Sequence, residues 1–302
     1  MNSEPFRRRF AEQLRAEKAL RSPALVEALA RVERERFVGP GPWLILRVPE
    51  GYATSPDASP EHLYADVPVA IDAARLINNG APGLVAPMLD ALGLQPGERV
   101  VHVGCGTGYY TALLAEMVGP EGFVTALELE PEFAARARQN LRHYPQVEVL
   151  RGDGTRHKAA SPDAILVTAG ATHPRPEWLA ALTPGARLLL PLTGVAVPGR
   201  MARFGRNLAG MVLRVTAREG GFEASFVERI GGSFCHGARD VRHERLLRDA
   251  FLRGGAEHVA SLRRDPHGSD ATCWLHGEGF CLSTRPLVAG STGSTGSAGA
   301  AS

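Results

Sequence analysis

Short apolar runs alternate with amphipathic segments through the middle of the chain. Five runs of aliphatic and β-branched residues have the composition of buried strands, at 99–103, 123–128, 147–150, 164–167 and 187–191. Three segments between them have the apolar spacing that is typical of helices, at 108–118, 131–143 and 177–182. Short strands that alternate with helices predict a parallel sheet with helices on both faces. The expected fold class is therefore α/β, with a Rossmann-like sheet.

The N-terminal residues have a different pattern. Residues 5–33 predict two helices, and the second should begin at Pro23, because Ser22 is a good N-cap and proline suits the first helical position. Residues 42–79 are rich in turn-forming residues and predict mainly loop. A further helix is expected over 82–92. We therefore expect a helical cap that leads through a long loop into the sheet.

The residues that follow the fifth strand predict a small addition to the sheet. Segments 211–217 and 222–230 predict an antiparallel pair that closes one edge. A charged amphipathic helix is expected over 240–253, and short strands over 257–283. We divide the chain into four parts: a helical cap with the long loop (1–80), a core with its closing strands (81–235), a small C-terminal extension (236–288) and a Gly/Ser-rich tail expected to be disordered (289–302).

Composition and charge narrow the class of protein. The chain has 302 residues, 44% of them hydrophobic, which is enough for one sizeable core and a small appended unit. A formal net charge of only +2 and the absence of an Asn-Pro-Pro-Tyr-type motif argue against a nucleic-acid partner. Neither a charged-then-apolar leader nor a run of about eighteen apolar residues is present. We expect a soluble, cytoplasmic protein without a membrane partner, and the sequence does not indicate its oligomeric state.

The cysteines and histidines of the C-terminal part raise the question of a zinc site. The chain has four cysteines, at 105, 235, 273 and 281, too few and too unevenly spaced for a disulfide framework. Cys235-His236, Cys273, His276 and Cys281 lie in or next to the extension, but their spacing matches no paired Cys-x-x-Cys ligand set. The sequence therefore predicts no metal, with structural thiols and surface histidines instead.

A glycine-rich turn follows the first predicted strand of the core. Gly104, Gly106 and Gly108 stand between a strand and a helix, which is how a nucleotide-binding βαβ unit opens. The glycines permit a tight turn and let a ligand approach the backbone. The third glycine comes two positions after the second, whereas the dinucleotide fingerprint has three. This spacing suits S-adenosyl-L-methionine, which has no pyrophosphate, and Cys105 fills a small position in the same turn.

Two later strand ends supply further candidate cofactor contacts. Glu128 ends the second strand, where a carboxylate can accept hydrogen bonds from both hydroxyls of a ribose; the alternative is a carboxylate that caps the next helix. Leu129 follows it directly. Asp153 and Gly154 follow the third strand, at the edge where ligands bind in open α/β sheets, and predict adenine contacts. The alternative for this pair is a simple Asp-Gly turn.

Several motifs between about residues 26 and 235 resemble those of the protein-L-isoaspartate O-methyltransferase family and occur in the same order along the chain. The matching segments are 32–38, 64–71, 104–109, 128–132, 152–154, 163–169 and 182–192. The resemblance implies a Rossmann-like, S-adenosylmethionine-dependent methyltransferase with its catalytic domain in the core, 81–235. It also implies the reaction: methylation of an L-isoaspartyl or aspartyl carboxylate of a protein or peptide. The resulting methyl ester collapses to a succinimide, which serves protein repair.

The residues are compatible with that reaction. A carboxyl group with a pKa near 4 is already an ionised nucleophile at neutral pH. The reaction therefore needs no general base, and the sequence has no obvious His/Asp dyad or nucleophilic serine motif. Catalysis would depend on aligning the carboxylate and excluding water, which contributes on the order of 7–11 kcal/mol in well-aligned systems.

One departure from the family concerns the loop on the substrate side. The family's Thr-Ile-Ser-x-Pro has a serine two residues before the proline, and here Gly80 stands two residues before Pro82, after Asn78 and Asn79. Asparagine amides or a glycine N–H can replace a hydroxyl in holding a carboxylate. The alternative is an Asn-Gly turn without a ligand role. Thr168, after the fourth strand, is a further candidate substrate contact, and its alternative is a strand-end threonine that bonds a neighbouring carbonyl.

The altered loop and the added C-terminal region leave two other functions open. One is a tailoring methyltransferase for a ribosomally made peptide, whose precursor docks on the extension. The other is a cofactor-binding adaptor without catalytic activity, which the missing serine favours. The candidate substrate residues are thus Asn78, Asn79, Gly80 and Thr168, and the candidate cofactor residues are Gly104, Cys105, Gly106, Gly108, Glu128, Leu129, Asp153 and Gly154.

Overall fold

A computed structural model of the protein describes residues 3–47, 50–195, 208–232 and 237–287. The predicted disordered tail, 289–302, lies outside these ranges, and so do Cys235 and His236. The helices are α1 (Glu4–Lys18), α2 (Pro23–Arg31), α3 (Glu35–Val38), α4 (Pro82–Leu92), α5 (Tyr109–Val118), α6 (Pro131–Asn140), α7 (Pro176–Ala181) and α8 (Val241–Arg253). The strands are β1 (Leu44–Arg47), β2 (Gly51–Thr54), β3 (Ala70–Asp72), β4 (Ile77–Asn78), β5 (Arg99–Val103), β6 (Phe123–Glu128), β7 (Val147–Arg151), β8 (Ala164–Val167), β9 (Arg187–Val195), β10 (Leu208–Arg218), β11 (Gly221–Gly232), β12 (Ser261–Arg263), β13 (Cys273–Gly277) and β14 (Phe280–Ser283).

The core has the predicted parallel sheet. Strands β7, β6, β5, β8 and β9 lie side by side in that order and are all parallel. The chain starts in the middle at β5, adds β6 and β7 on one side, and then returns to add β8 and β9 on the other. The strand order therefore reverses between β5 and β8, and such a switch point opens a crevice at the carboxyl ends of the two strands.

The far side of the sheet is larger than the sequence predicted. β10 and β11 form the expected antiparallel pair, joined to β9. They do not close the edge, however, because β12, β14 and β13 continue the sheet beyond β11 to a total of ten strands among the described residues. The strands of the C-terminal extension are thus part of the same sheet.

The sheet separates two hydrophobic cores. Neighbouring residues of a strand point to opposite faces, so Val100 belongs to one core and Val101 to the other. The first core packs against α1, α2, α4 and α5, with Leu25, Leu89 and Leu113 fully or almost fully buried. The second packs against α7 and α8 and includes Trp178. Helices cover both faces, as the alternating pattern predicted.

The segment predicted as mainly loop, 42–79, contains four short strands, which corrects that expectation. β1 pairs with β2 and β3 with β4, each as a small antiparallel hairpin. Trp43, Ile45 and Val69 are buried in a separate hydrophobic cluster beneath them. Such short strands, rich in polar and turn-forming residues, give little periodicity for the sequence to reveal. Among the described residues no helix combines the length and apolar character needed to cross a membrane.

Candidate active site

The glycine turn lies at the carboxyl end of β5, at the switch point of the sheet. Gly104, Gly106 and Gly108 have φ values of +82°, +56° and +98°, a backbone region that other residues rarely adopt. At Gly108 space is also limiting, since a Cβ atom there would come within 2.8 Å of Leu141 Cδ1. The backbone N–H groups of Gly104 and Cys105 both donate to the carbonyl of residue 127, at the end of β6. The turn is therefore fixed by its neighbouring strand.

Glu128 lies directly beside this turn. Its side chain is only 8% exposed, and burial raises the pKa of its carboxyl group, while hydrogen bonds from backbone N–H groups oppose the increase. Oε2 accepts from Gly106 N–H at 2.7 Å, and Oε1 accepts from Glu130 N–H at 3.0 Å. Because a carboxylate has about four acceptor sites, each oxygen can still accept from a hydroxyl of a bound diol. Leu129, next to it, is 43% exposed and offers an apolar surface at the same place.

Asp153 and Gly154 form the turn after β7. Asp153 Oδ1 accepts from the backbone N–H and the hydroxyl of Thr155, at 2.9 and 2.6 Å, so the simple turn is present. Gly154 lies against Val103 at the end of β5, where an added Cβ would meet Val103 Cγ1 at 2.6 Å. The turn therefore packs against β5, the strand that precedes the glycine turn. A contact from the backbone of Asp153 and Gly154 to a bound adenine stays a prediction.

Thr168 holds the glycine turn. Its hydroxyl donates to the Gly104 carbonyl at 2.7 Å, as the alternative interpretation of this residue anticipated. Behind it, the ring nitrogens of His102 lie 3.1 Å from Thr168 Oγ1 and 2.9 Å from Thr111 Oγ1. Complete burial lowers the pKa of His102 to about 3, so the ring is neutral. Since the Thr168 proton is used by Gly104, His102 Nε2 carries the ring proton and Nδ1 accepts from Thr111.

Asn78 and Asn79, although adjacent, have different surroundings. Asn78 Oδ1 accepts from Gly80 N–H at 2.9 Å, so that N–H is not free to donate to a ligand, and Asn78 Nδ2 donates to the hydroxyl of Tyr52 at 3.5 Å. Asn79 is 8% exposed, and its Oδ1 accepts from Arg34 Nε at 3.2 Å. Its Nδ2 donates to no group among the residues that the structure describes, so both N–H donors of this amide can reach a ligand.

Arg34 is the functional residue that the sequence reasoning missed. Its side chain is completely buried, and it donates to the carbonyls of residues 63, 67 and 80 at 2.8, 2.8 and 2.9 Å. These bonds, with the one to Asn79, fix residues 63–80, which we call the substrate-side segment. The motif 32–38 had drawn attention to this part of the chain. The resemblance puts Arg34 at the arginine and Arg36 at the variable position of the family's Arg-Glu-x-Phe-Val, but it does not indicate that Arg34 is buried or which groups it contacts.

The substrate-side segment and the glycine turn are in contact. Tyr110, in the first turn of α5, donates from its hydroxyl to the Gly80 carbonyl at 3.3 Å. A Cβ atom at Gly106 would lie 3.7 Å from Ile71 Cδ1. Asp66 Oδ1 accepts from Gly83 N–H at 2.6 Å, which places its carboxylate at the N-terminus of α4. The structure thus brings the candidate cofactor and substrate residues to one crevice.

Comparison with known proteins identifies the family. The family model described as protein-L-isoaspartate(D-aspartate) O-methyltransferase matches residues 7–217. The chain belongs to this family. The protein-L-isoaspartate O-methyltransferase of Aeropyrum pernix is 38% identical over 199 residues, covering 63% of this chain and 69% of the relative. That of Ignicoccus hospitalis is 36% identical over 193 residues, covering 63% and 82%.

Solved structures agree on the fold. A protein-L-isoaspartate O-methyltransferase structure has a TM-score of 0.56 at 20% identity and covers 82% of this chain and 69% of its own. A Plasmodium falciparum structure with the same family assignment has a TM-score of 0.57 at 16% identity and covers 76% and 97%. The predicted family, Rossmann-like methyltransferase fold and enzyme class are confirmed. The match to the family model ends at residue 217, within β10, so the extension lies beyond it.

Proposed function

We propose that the protein methylates the free carboxylate of L-isoaspartyl residues (the α-carboxylate), or of aspartyl residues (the side-chain carboxylate), in proteins or peptides, with S-adenosyl-L-methionine as donor. One observation carries the proposal. The glycine turn, which has the buried carboxylate of Glu128 beside it, is in contact with the substrate-side segment, the part of the chain that contains the altered family loop. The methyl ester produced collapses to a succinimide, as in protein repair. The cytoplasmic location and the absence of a nucleic-acid partner remain predictions.

The residues of the glycine turn fit the cofactor. S-adenosyl-L-methionine, when bound, supplies an electrophilic methyl group on a sulfonium. Glu128 would accept hydrogen bonds from the ribose hydroxyls, because both of its oxygens retain acceptor capacity while Gly106 and Glu130 hold them in place. Gly104 and Gly108 keep side chains out of the turn. The exposed face of Leu129 and the backbone of Asp153 and Gly154 would cover the adenine.

On the substrate side, we assign the carboxylate contact to Asn79. Arg34 fixes the Oδ1 end of this amide, so the Nδ2 end is presented in one orientation. Asn78 and Gly80 bond to each other and shape the turn. A base is not required, since the substrate carboxylate is ionised at neutral pH. His102 is neutral and engaged at both nitrogens, which suits a positioning role behind Thr168.

The test uses two synthetic peptides of the same sequence, one with an L-isoaspartyl and one with an aspartyl residue, so that it also shows which of the two is the substrate. Purified protein and labelled S-adenosylmethionine should transfer label to the isoaspartyl peptide, and the label should be lost again as the ester forms a succinimide. Tight cofactor binding, measured by calorimetry, without label on either peptide would remove the repair role. It would also favour the adaptor or a dedicated substrate.

A second candidate is favoured by the position of the C-terminal extension. Asp240 N–H donates to Thr172 Oγ1 at 3.0 Å, and the rings of His173 and His243 stack with centroids 4.5 Å apart. These contacts place the start of α8 beside the loop that follows β8, at the same edge of the sheet as the site. A precursor peptide bound there would lie next to the crevice. Methylation of a peptide encoded beside the gene, with none of the isoaspartyl test peptide, would establish this function instead.

A further inference from the structure

Four side chains that ligate metals come together in the C-terminal extension. One ligand atom from each of His267, Cys273, His276 and Cys281 lies within 4.8 Å of the other three. His267 is in the connection from β12 to β13, and the other three are on the β13–β14 hairpin. The cluster is outside the glycine turn and the substrate-side segment, and the methyl transfer described above makes no use of it.

A β-bulge in β13 creates this arrangement. Cys273 and His276 are three residues apart and would point to opposite faces of a regular strand. Cys273 is paired with residue 283, but residue 275 is already paired with 282, so two residues of β13 oppose one of β14. The shift brings Cys273 to the face of His276, which lies directly opposite Cys281. Spacing along the sequence could not reveal the cluster, because it takes no account of the bulge.

The surrounding groups orient the ligands. A backbone carbonyl can only accept, so His267 Nδ1, 2.7 Å from the carbonyl of residue 265, carries the ring proton. In this tautomer of the neutral ring, Nε2 is the nitrogen with a free lone pair, and it lies 3.6 Å from Cys273 Sγ. The backbone N–H of Asp270 donates to Cys273 Sγ at 3.3 Å, a contact that stabilises a thiolate. His276 Nδ1 is buried and has no hydrogen-bond partner among the residues that the structure describes.

We propose that these four residues bind one structural Zn²⁺ ion. Zinc prefers tetrahedral sets of cysteine and histidine, and sites with four protein ligands are structural. A tetrahedron with zinc–ligand distances of about 2.0–2.3 Å has edges of about 3.3–3.8 Å. The 3.6 Å between His267 Nε2 and Cys273 Sγ is such an edge. Two thiolates also neutralise the dication, which is compatible with the complete burial of Cys281. The geometry goes against the sequence-based prediction of no metal.

The ion would link the connection between β12 and β13, through His267, to the β13–β14 hairpin at the end of the sheet. This connection, residues 264–272, has no helix or strand of its own. On the hairpin, Trp274 packs against Phe226 and Phe251, with ring centroids 5.1 and 5.4 Å apart, so one part of the extension already has a hydrophobic anchor. Polar contacts of Asp265, Asp270 and Thr272 already tie this connection to β12 and to the end of β14, and zinc would add a link from His267 to the hairpin.

The first test is the metal content of the full-length chain, purified without added metal and measured by plasma mass spectrometry. We expect one zinc per chain in the wild type, and loss of that zinc in Cys273→Ser and in His276→Asn. His258→Asn is the matched control, since it removes an exposed histidine from the same extension and should retain the zinc. Wild-type protein without zinc, or equal zinc in all four proteins, overturns the proposal.

A second test uses only the wild type, so it holds even if the variants fail to fold. After removal of zinc by a chelator, Co²⁺ is added, and a tetrahedral site with two thiolates should give sulfur-to-cobalt charge-transfer absorption. Zinc should abolish this absorption and slow the alkylation of Cys273 and Cys281, as followed by peptide mass spectrometry. A cobalt spectrum without charge transfer, or a disulfide between Cys273 and Cys281 in the purified protein, contradicts a zinc site. None of these readouts depends on methyl transfer.

Discussion

The two sides of the crevice are held in shape by different means. On the proposed cofactor side, backbone hydrogen bonds to the end of β6 fix the glycine turn, and backbone N–H groups fix the Glu128 side chain. On the proposed substrate side, residues 63–80 depend on Arg34, one buried cation that donates to four separate carbonyls and to Asn79. The hydrogen bonds of the glycine turn join neighbouring strands of the parallel sheet. Those of Arg34 instead join parts of the chain that are far apart in sequence.

This difference has consequences for mutation. On the cofactor side, a substitution should remove one ligand contact and leave the turn in place, because the sheet maintains the backbone. On the substrate side, loss of Arg34 removes the partner of several buried carbonyls at once. A buried polar group without a partner costs about 1–3 kcal/mol, so the effects accumulate. We therefore expect the loss of Arg34 to disrupt residues 63–80 as a whole.

The largest effect is expected for Arg34→Met, which keeps the bulk of the side chain and removes its donors. We expect a loss of at least about 3 kcal/mol in the free energy of unfolding, from urea titration, and no measurable methyl transfer. Cofactor affinity, measured by calorimetry on the folded fraction, should change little. Arg36→Met is the control, because Arg36 is two residues from Arg34, in α3, and is mostly exposed. Wild-type stability in Arg34→Met would show that residues 63–80 do not depend on this residue.

Glu128→Ala should have the next largest effect, and it should act on the cofactor alone. Hydrogen bonds to a charged acceptor contribute about 1.5–3 kcal/mol, so the dissociation constant of S-adenosylmethionine should rise about 10- to 100-fold. The unfolding transition should stay cooperative, as checked by circular dichroism. Glu130→Ala, two residues further along, should bind within a few-fold of the wild type. An unchanged affinity in Glu128→Ala would refute the placement of the ribose.

The raised pKa of Glu128 adds a pH test. Because burial is the main cause, the carboxyl group takes up its proton at a higher pH than the ordinary value of 4.5. Cofactor affinity should therefore weaken as the pH falls through that raised value, and Glu128→Gln should lack this dependence. For folding the sign is opposite: the folded state holds the proton more tightly, so ionisation above the pKa lowers stability. Parallel pH profiles for both proteins would assign the titration to another group.

The same contrast explains how much the sequence could predict. Gly104, Gly106, Gly108 and Glu128 belong to a local pattern of strand, turn and strand end, so spacing alone was enough to propose them as cofactor contacts, and the structure places them next to one another. The partners of Arg34 lie about 30 to 46 positions away along the chain, and no periodicity connects them. The hydrogen bond from the Thr168 hydroxyl to the Gly104 carbonyl is likewise a tertiary contact that spacing does not reveal, and a substrate contact of Thr168 stays a prediction. The sequence pattern therefore could not predict these long-range hydrogen bonds.

Asn79 offers a sharper test of the substrate side, with a smaller effect. Asn79→Ala should lower turnover about tenfold without much change in cofactor affinity, since one hydrogen bond to a charged group is lost. Asn79→Asp keeps an oxygen for Arg34 but places a negative charge against the substrate carboxylate, so it should retain stability and lose more activity. Asn78→Ala is the neighbouring control. Equal activity in all three variants would mean that residues 78–80 form only a turn.

We expect the smallest effect on cofactor affinity from a substitution of Arg75, which lies at the surface between the proposed substrate and cofactor sides. Arg75, at the tip of the β3–β4 hairpin, donates to Asp72 on its own hairpin and reaches Glu130 Oε2 at 2.8 Å, next to the proposed ribose site. The pair is largely exposed to solvent, and such ion pairs are weak and screened by salt. Arg75→Gln should therefore raise the cofactor dissociation constant only a few-fold at low ionic strength and leave it unchanged at high salt. A large effect that persists in high salt would instead mean that the hairpin contacts the cofactor directly, and the substrate side would then contribute to both halves of the site.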